Sequence, residues 1–169
     1  MSDIRQRMPR LARHEGVWNG WYRYYDAQGR LIDAHRSRLV CRFPDGGPFD
    51  YDQTNHYSWP DGRTEVRPFP AMLQGDRIVF KSELIEGWAA DVPLDTFART
   101  TMLNWTRSAE PGTYLYEMIH LSDCGNYTRP RVAVVPRRPA DVAHADRRAA
   151  CQQQLAADQR AELRRRAAG

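Results

Sequence analysis

The chain has 169 residues, which is enough for one domain with a hydrophobic core and too few for two. Its net charge of +4 comes from the C-terminal end, since residues 129–169 carry ten Arg against four acidic side chains and residues 1–128 carry 15 basic and 17 acidic ones. Because this Arg-rich end has no aromatic residues to stack on bases, it argues against specific nucleic-acid binding. The sequence lacks both a signal peptide and an apolar run of roughly 20 residues, so we expect a cytoplasmic protein that does not cross a membrane.

Aromatic residues mark the part of the chain that can build a core. All eighteen Phe, Trp and Tyr residues lie between Trp18 and Tyr127. Across this region, short segments of strand-forming residues alternate with turn segments that contain Gly, Pro, Asp or Asn, which predicts an all-β antiparallel meander. The predicted strands are 17–26, 31–43, 51–59, 63–69, 77–82, 88–92, 97–107, 113–122 and 127–135.

Two of these strands, the third and the eighth, carry a mixture of aromatic and polar side chains on one face. Such a mixture suits a barrel that encloses a small apolar or aromatic ligand better than it suits the aliphatic core of a sandwich. The alternative is that the aromatic residues simply fill a core. With the strand register assumed, the predicted ligand-binding residues are Gln53, Asn55, Tyr57, Trp88, Trp105, Tyr116, Met118 and His120.

The C-terminal segment has a different composition. Ala, Arg, Gln, Glu and Leu favour helix, so residues 140–167 are predicted to contain one. Its large apolar residues after Val142 are only Leu155 and Leu163, so truncation after Pro136 is expected to cost within about 1 kcal/mol. The predicted organisation is an N-terminal lead at 1–13, a barrel at 14–135 and a helical or disordered basic tail at 136–169.

Sequence motifs for catalysis are sparse. The five His residues lack metal-ligand spacing, the three Cys residues form no C-x-x-C pair, and no phosphate-binding or dinucleotide motif occurs, so we expect neither a metal nor a cofactor. Tyr116 and His120 share a strand face and are the candidates for proton transfer. Two functions stay open: a binding protein for a small hydrophobic ligand, or a cofactor-free isomerase, cyclase or lyase.

The first predicted strand opens with Gly16-Val17-Trp18. This Gly-x-Trp resembles the lipocalin and wider calycin signature, in which the Trp packs across one end of the barrel. Residues 14–127 further resemble a calycin-like bacterial family of unknown function, which implies a lipocalin-like barrel that holds a small hydrophobic molecule and, in a few related barrels, converts it. The segments that carry this second resemblance are 14–18, 33–43, 53–55, 59–63, 87–88, 105–107 and 115–119.

The resemblance ends after Tyr127. It implies a further strand rich in Trp, His and Phe and then a charged final strand, whereas this chain becomes rich in Ala and Arg. We hypothesise that residues 129–169 are a frameshifted version of those two strands, and a genuine extension is the alternative. Loss of two strands would leave an open barrel edge, so we expect a homodimer, aggregation, or pairing of residues 131–135 as a replacement edge strand.

Overall fold

The structure is a computed structural model that describes residues 4–94, 96, 99–110, 112–125, 127–128, 131–136 and 143–151. Two one-turn helices precede a set of antiparallel strands, so the predicted all-β class is confirmed. The helices are α1 (Ile4–Arg7) and α2 (Pro9–Ala12). The strands are β1 (Gly16–Tyr25), β2 (Leu31–Arg42), β3 (Tyr51–Ser58), β4 (Thr64–Gln74), β5 (Arg77–Lys81), β6 (Ile85–Val92), β7 (Thr100–Arg107), β8 (Thr113–His120), β9 (Tyr127–Thr128), β10 (Arg131–Pro136) and β11 (Ala143–Cys151).

The strands form one antiparallel sheet that curls into a barrel. Strands β1 to β8 pair in chain order, β10 pairs with β8, and β11 pairs with β10. Strand β11 also pairs with β1, from Trp18↔Cys151 to Tyr25↔His144. The barrel therefore continues past residue 135 into the segment for which a tail was predicted.

The predicted C-terminal helix is not seen in residues 143–151, the part of it that the structure describes. Residues 143–151 form strand β11, although their Ala and Arg residues favour helix. Pairing with β1 on one side and β10 on the other supplies backbone partners that outweigh this weak preference. The rest of the predicted helix, with Leu155 and Leu163, lies outside the described residues.

The open edge from which a homodimer was expected is absent where the structure describes the end of the chain. Residues 131–135 were expected to pair as a replacement edge strand, and β10 instead lies between β8 and β11. A gap occurs elsewhere, because β5 pairs only with residues 71–74 of β4. Residues 64–70 of β4 thus have β3 as a neighbour but lack a β5 partner, and Pro68 and Pro70 lie in this stretch.

The N-terminal helices pack into one end of the barrel. Ile4, Met8 and Leu11 are buried in the same apolar cluster as Trp18. The Asp91 carboxylate on β6 accepts hydrogen bonds from the backbone N–H groups of Arg10 and Leu11, at 2.6 and 3.0 Å, and so fixes α2 to the sheet. This end is where β1, β3 and β7 begin, which leaves the other end for a site.

Candidate ligand-binding site

The main cavity has a volume of about 360 Å³ and lies towards the barrel end away from the helices. Amide and aromatic side chains of β3 and apolar side chains of β7 form part of its wall. Its lining includes Gln53, Asn55 and Tyr57 from β3, and Leu103 and Trp105 from β7. Phe69 of β4 and Phe80 of β5 also line the cavity, next to the point where the β4–β5 pairing stops.

Half of the predicted site residues lie on this wall. Gln53, Asn55, Tyr57 and Trp105 converge on the main cavity, as the alternation along β3 predicted. Their role in binding a ligand remains a prediction. Trp88 does not line the cavity, because β6 turns Ile85 and Ala89 inward and leaves Trp88 half-buried on the other face.

The interior placement predicted for Tyr116, Met118 and His120 is wrong. Tyr116 is 40% and Met118 38% exposed, and His120 is exposed too. Strand β8 instead buries Leu115 and Glu117, so the opposite face points into the barrel. Both faces of β8 mix apolar and polar residues, and alternation alone cannot choose between two such faces. The proton-transfer pair proposed from the sequence therefore lies on the outside.

Side chains on the inner face of β3 form a continuous chain of hydrogen bonds, which we call the polar ladder. The Tyr51 hydroxyl donates to Gln53 Oε1 at 2.6 Å, Gln53 Nε2 donates to Asn55 Oδ1 at 2.7 Å, and Asn55 Nδ2 donates to the Tyr57 hydroxyl at 2.7 Å. Buried amides are costly unless they are hydrogen-bonded. The polar ladder therefore keeps amides on the cavity wall in fixed orientations.

The imidazole of His35 lies among aromatic rings at the Tyr57 end of the polar ladder. The His35 ring lies 4.4 Å from the Trp59 ring, 5.0 Å from that of Tyr57 and 5.3 Å from that of Tyr22, measured between centroids. Its Nδ1 is 2.9 Å from Asp33 Oδ2, and Trp59 Nε1 donates to Asp33 Oδ1 at 3.0 Å. The imidazole is thus held in one orientation against a carboxylate, on the wall of the main cavity.

Sequence reasoning missed this cluster although a signal for it existed. Asp33 and His35 are two apart on β2, so they share a face. Trp59 continues the alternation of Gln53, Asn55 and Tyr57, and β2 pairs with β3. A register for this pair would have brought Asp33, His35 and Trp59 together. The sequence does not fix that register on its own.

Charged side chains lie where the strands end at the mouth of the main cavity. The Arg67 guanidinium contacts both Glu65 carboxylate oxygens, at 2.6 and 3.0 Å, and this hydrogen bonding raises the pKa of Arg67. The Arg107 guanidinium lies 2.6 Å from Glu110 and 5.3 Å from the centre of the Trp105 ring. Each arginine is held by a carboxylate beside an aromatic ring, so the mouth presents oriented donors and acceptors next to flat apolar surfaces.

Trp105 also carries a donor with no acceptor. Its Nε1 is buried and has no hydrogen-bond partner within the described residues, although the side chain lines the main cavity.

In the part of the chain that the structure describes, no group of three or more His, Cys, Asp or Glu side chains is arranged to hold a metal ion. No helix found there is long and apolar enough to cross a membrane.

Comparison with known proteins gives a fold. No family model matches the chain, and no match is found among the curated proteins. A protein of unknown function from the DUF3598 family of Nostoc punctiforme matches with a TM-score of 0.61 and 12% identity over 83% of this chain and 48% of its own, so this chain spans about half of its length. The S-type phycobiliprotein lyase CPES from Guillardia theta matches with a TM-score of 0.67 and 10% identity over 90% of this chain and 97% of its own. These likenesses show the calycin-like fold that the resemblance of residues 14–127 implied.

Proposed function

We propose that this protein binds a small, largely apolar ligand with an aromatic or polyene body in the main cavity. The observation that carries the proposal is the cavity itself, whose 360 Å³ falls within the roughly 300–1,000 Å³ of small-molecule sites. Such sites combine apolar walls with a few fixed polar groups, and the polar ladder supplies these on β3. The likeness to a phycobiliprotein lyase supports a small-molecule role and adds bilins to the ligands worth testing.

Fluorescence titration tests this proposal. Trp59 and Trp105 line the main cavity, so a bound aromatic compound will quench their emission. A panel of 2-naphthol, 2-methylnaphthalene, retinol and biliverdin covers short aromatic, polyene and open-chain tetrapyrrole bodies. We expect saturable quenching by at least one member, and the absence of saturation with all four would contradict the proposal.

A matched pair of variants locates the binding site. Leu103→Phe adds a ring to the cavity wall, whereas Met72→Phe adds one to a side chain that is 48% exposed outside the cavity. Loss of shape complementarity should weaken binding about tenfold or more in Leu103→Phe, which is about 1.4 kcal/mol, and leave Met72→Phe unchanged. Equal affinity in both variants would show that the ligand binds elsewhere. Circular dichroism at the titration temperature confirms that both remain folded.

A second function, conversion of the bound ligand without a cofactor, is favoured by the Asp33–His35 pair. A carboxylate on Nδ1 orients an imidazole and supports its exchange of protons, as a general acid or base requires. This pair lines the cavity, unlike His120 and Tyr116. The reaction class is then an isomerisation, cyclisation or elimination in which His35 removes a proton from the ligand and returns it at another atom.

Product analysis separates this function from simple binding. Mass spectrometry and chromatography of ligands recovered after incubation would reveal turnover by the unmodified protein. If turnover occurs, His35→Gln should reduce it by roughly 10²–10⁴-fold while ligand affinity changes little. His120→Gln, at an exposed position, serves as the control and should keep full activity. If all ligands are recovered unchanged, the protein only binds them and this second function is wrong.

A further inference from the structure

A second, smaller cavity lies between the main cavity and the N-terminal helices, and we call it the inner chamber. Its volume is about 60 Å³, which is room for one small polar group or a few water molecules. Gln53, Leu103 and Glu117 line both cavities and form the partition between them. Leu11 and Trp18 are among the residues on its far side.

Three polar atoms around the inner chamber lack hydrogen-bond partners within the described residues. They are His14 Nε2, Ser37 Oγ and Thr128 Oγ1, and their side chains belong to residues that are 6%, 4% and 7% exposed. Folded proteins leave few buried polar groups unpaired. Three around one cavity therefore indicate a ligand group or solvent that pairs with them.

The other polar groups of the chamber already have partners. Trp18 Nε1 donates to the His14 backbone oxygen at 2.7 Å, and the Tyr51 hydroxyl donates to Gln53. The Cys41 thiol lies 3.7 Å from Gln53 Oε1, and burial raises its pKa to about 12, so it carries no charge. Tyr22 and the buried Glu117 also line the chamber, and each has an interaction with the rest of the protein. The buried atoms that a ligand group or solvent would pair with are therefore the three unpartnered ones.

The protonation of His14 defines what these atoms can bind. Burial lowers the pKa of His14 to about 4, so its ring is neutral at pH 7. His14 Nδ1 lies 3.2 Å from the Arg10 backbone oxygen, which can only accept, so Nδ1 carries the hydrogen. Nε2 is then an acceptor, and it faces a partner that donates. The Ser37 and Thr128 hydroxyls can each donate or accept.

We infer that the inner chamber is a subsite for a neutral hydroxyl or N–H group at the end of the ligand whose apolar body occupies the main cavity. This inference rests on the proposed function. A ligand group would enter the chamber past Leu103, the half-buried apolar member of the partition, since Gln53 is held in the polar ladder and Glu117 is buried. An alcohol or phenol supplies a hydrogen for His14 Nε2 and an oxygen for Ser37 or Thr128. The ligand class is thus an apolar molecule with one terminal hydroxyl or amide.

The comparison of 2-naphthol with 2-methylnaphthalene tests the subsite, because the two differ in a hydroxyl against a methyl group. We expect the unmodified protein to bind 2-naphthol about tenfold more tightly. Ser37→Ala and the nearly isosteric Thr128→Val each remove a hydroxyl from the chamber, and each should reduce this preference at least threefold without changing the affinity for 2-methylnaphthalene. Ser58→Ala, on the opposite face of β3 from the polar ladder, is the control.

The outcomes separate this inference from the proposed function. If both compounds bind equally and neither variant alters their ratio, the chamber holds solvent only and the subsite is wrong, while the main cavity still binds. If neither compound binds, the subsite is overturned together with the proposed function for ligands of this size. Two chamber variants are used so that the test still stands if one of them misfolds. Thermal unfolding of each variant checks that it is folded.

Discussion

His14 shows how burial changes the pH at which one side chain takes up a proton. Its pKa falls from 6.5 to about 4, chiefly because burial disfavours the charged ring. An unfolded chain takes up this proton below pH 6.5, whereas the folded chain takes it up only near pH 4. The free energy of unfolding should therefore fall by about 3 kcal/mol between pH 6.5 and 4 from this residue, and be unaffected by it above pH 6.5.

Urea unfolding of His14→Gln at pH 7.5, 6 and 5 measures this effect. The variant should be less stable at pH 7.5, since it loses the Nδ1 contact with the Arg10 carbonyl, and it should lose less stability on acidification than the unmodified protein. His120→Gln, at an exposed position, should keep the original dependence. The same slope in the His14 variant would show that this histidine is not buried in its neutral form.

The site residues differ in the kind of information that is needed to predict their positions. Gln53, Asn55 and Tyr57 could be predicted from sequence because amides and an aromatic ring recur at every second position of one strand. Tyr116 and His120 were placed wrongly because both faces of their strand look equally suitable. The Asp33–His35 pair depends on the β2–β3 register, which comes from the closure of the whole sheet. Alternation gives the two faces of a strand, and only tertiary pairing says which is inside.

At the scale of the elements, strand β6 makes an unusually close approach to β7. Gly87 lies opposite Trp105, and a Cβ at residue 87 would meet the Asn104 backbone oxygen and lie 2.5 Å from Trp105 Cα. Backbone atoms cannot move aside as a flexible side chain can. We expect Gly87→Ala to destabilise the protein by about 3 kcal/mol and to displace Trp105 from the cavity wall.

Denaturant unfolding compared with Gly46→Ala tests this expectation. A Cβ at Gly46 has nothing within 4 Å and its φ is not in the left-handed region, so that variant should unfold like the unmodified protein. Trp emission of Gly87→Ala should shift to longer wavelength if Trp105 becomes exposed. Equal stability of the two variants would mean that β6 and β7 are further apart than described.

Most strands could be predicted from turn residues and apolar spacing, and the exceptions have identifiable causes. The fourth predicted strand ends at residue 69, although β4 continues through Pro70 to Gln74. Pro68 and Pro70 are tolerated because β4 has no β5 partner in that stretch. Strand β11 was missed because its Ala and Arg residues favour helix and its partners lie far away in sequence.

At the scale of the whole molecule, the C-terminal segment is not the dispensable tail that the sequence predicted, because its strand β11 is part of the barrel. Truncation after Pro136 was expected to cost little, but it would remove β11 and leave β1 with β2 as its only partner strand from Trp18 to Tyr25. We now expect this truncation to remove a substantial part of the roughly 5–15 kcal/mol that stabilises a typical domain, and the exposed edges to promote association. Urea unfolding and light scattering after size exclusion measure both effects.

A second truncation after Cys151 is the matched control, because it keeps the whole of β11. It should have the same oligomeric state as the full chain and be nearly as stable. Equal stability of the two truncated proteins would show that β11 contributes nothing to the barrel. The frameshift hypothesis stays a separate prediction, supported if the alternative reading frame beyond codon 128 encodes a strand rich in Trp and His, and removed if it does not.

The hydrogen bonds of the polar ladder all point the same way, from Tyr51 at the inner chamber to Tyr57 at the main cavity. Both amides donate towards Tyr57 and accept from the side of Tyr51, so neither Gln53 nor Asn55 can rotate without breaking its bonds to both neighbours. Aligned hydrogen bonds polarise one another. The orientation of each amide on the main-cavity wall is therefore tied to the Tyr51 hydroxyl, on the wall of the inner chamber. A ligand that reoriented one of these amides would have to break hydrogen bonds in both directions along β3, so the two spaces share one rigid polar wall.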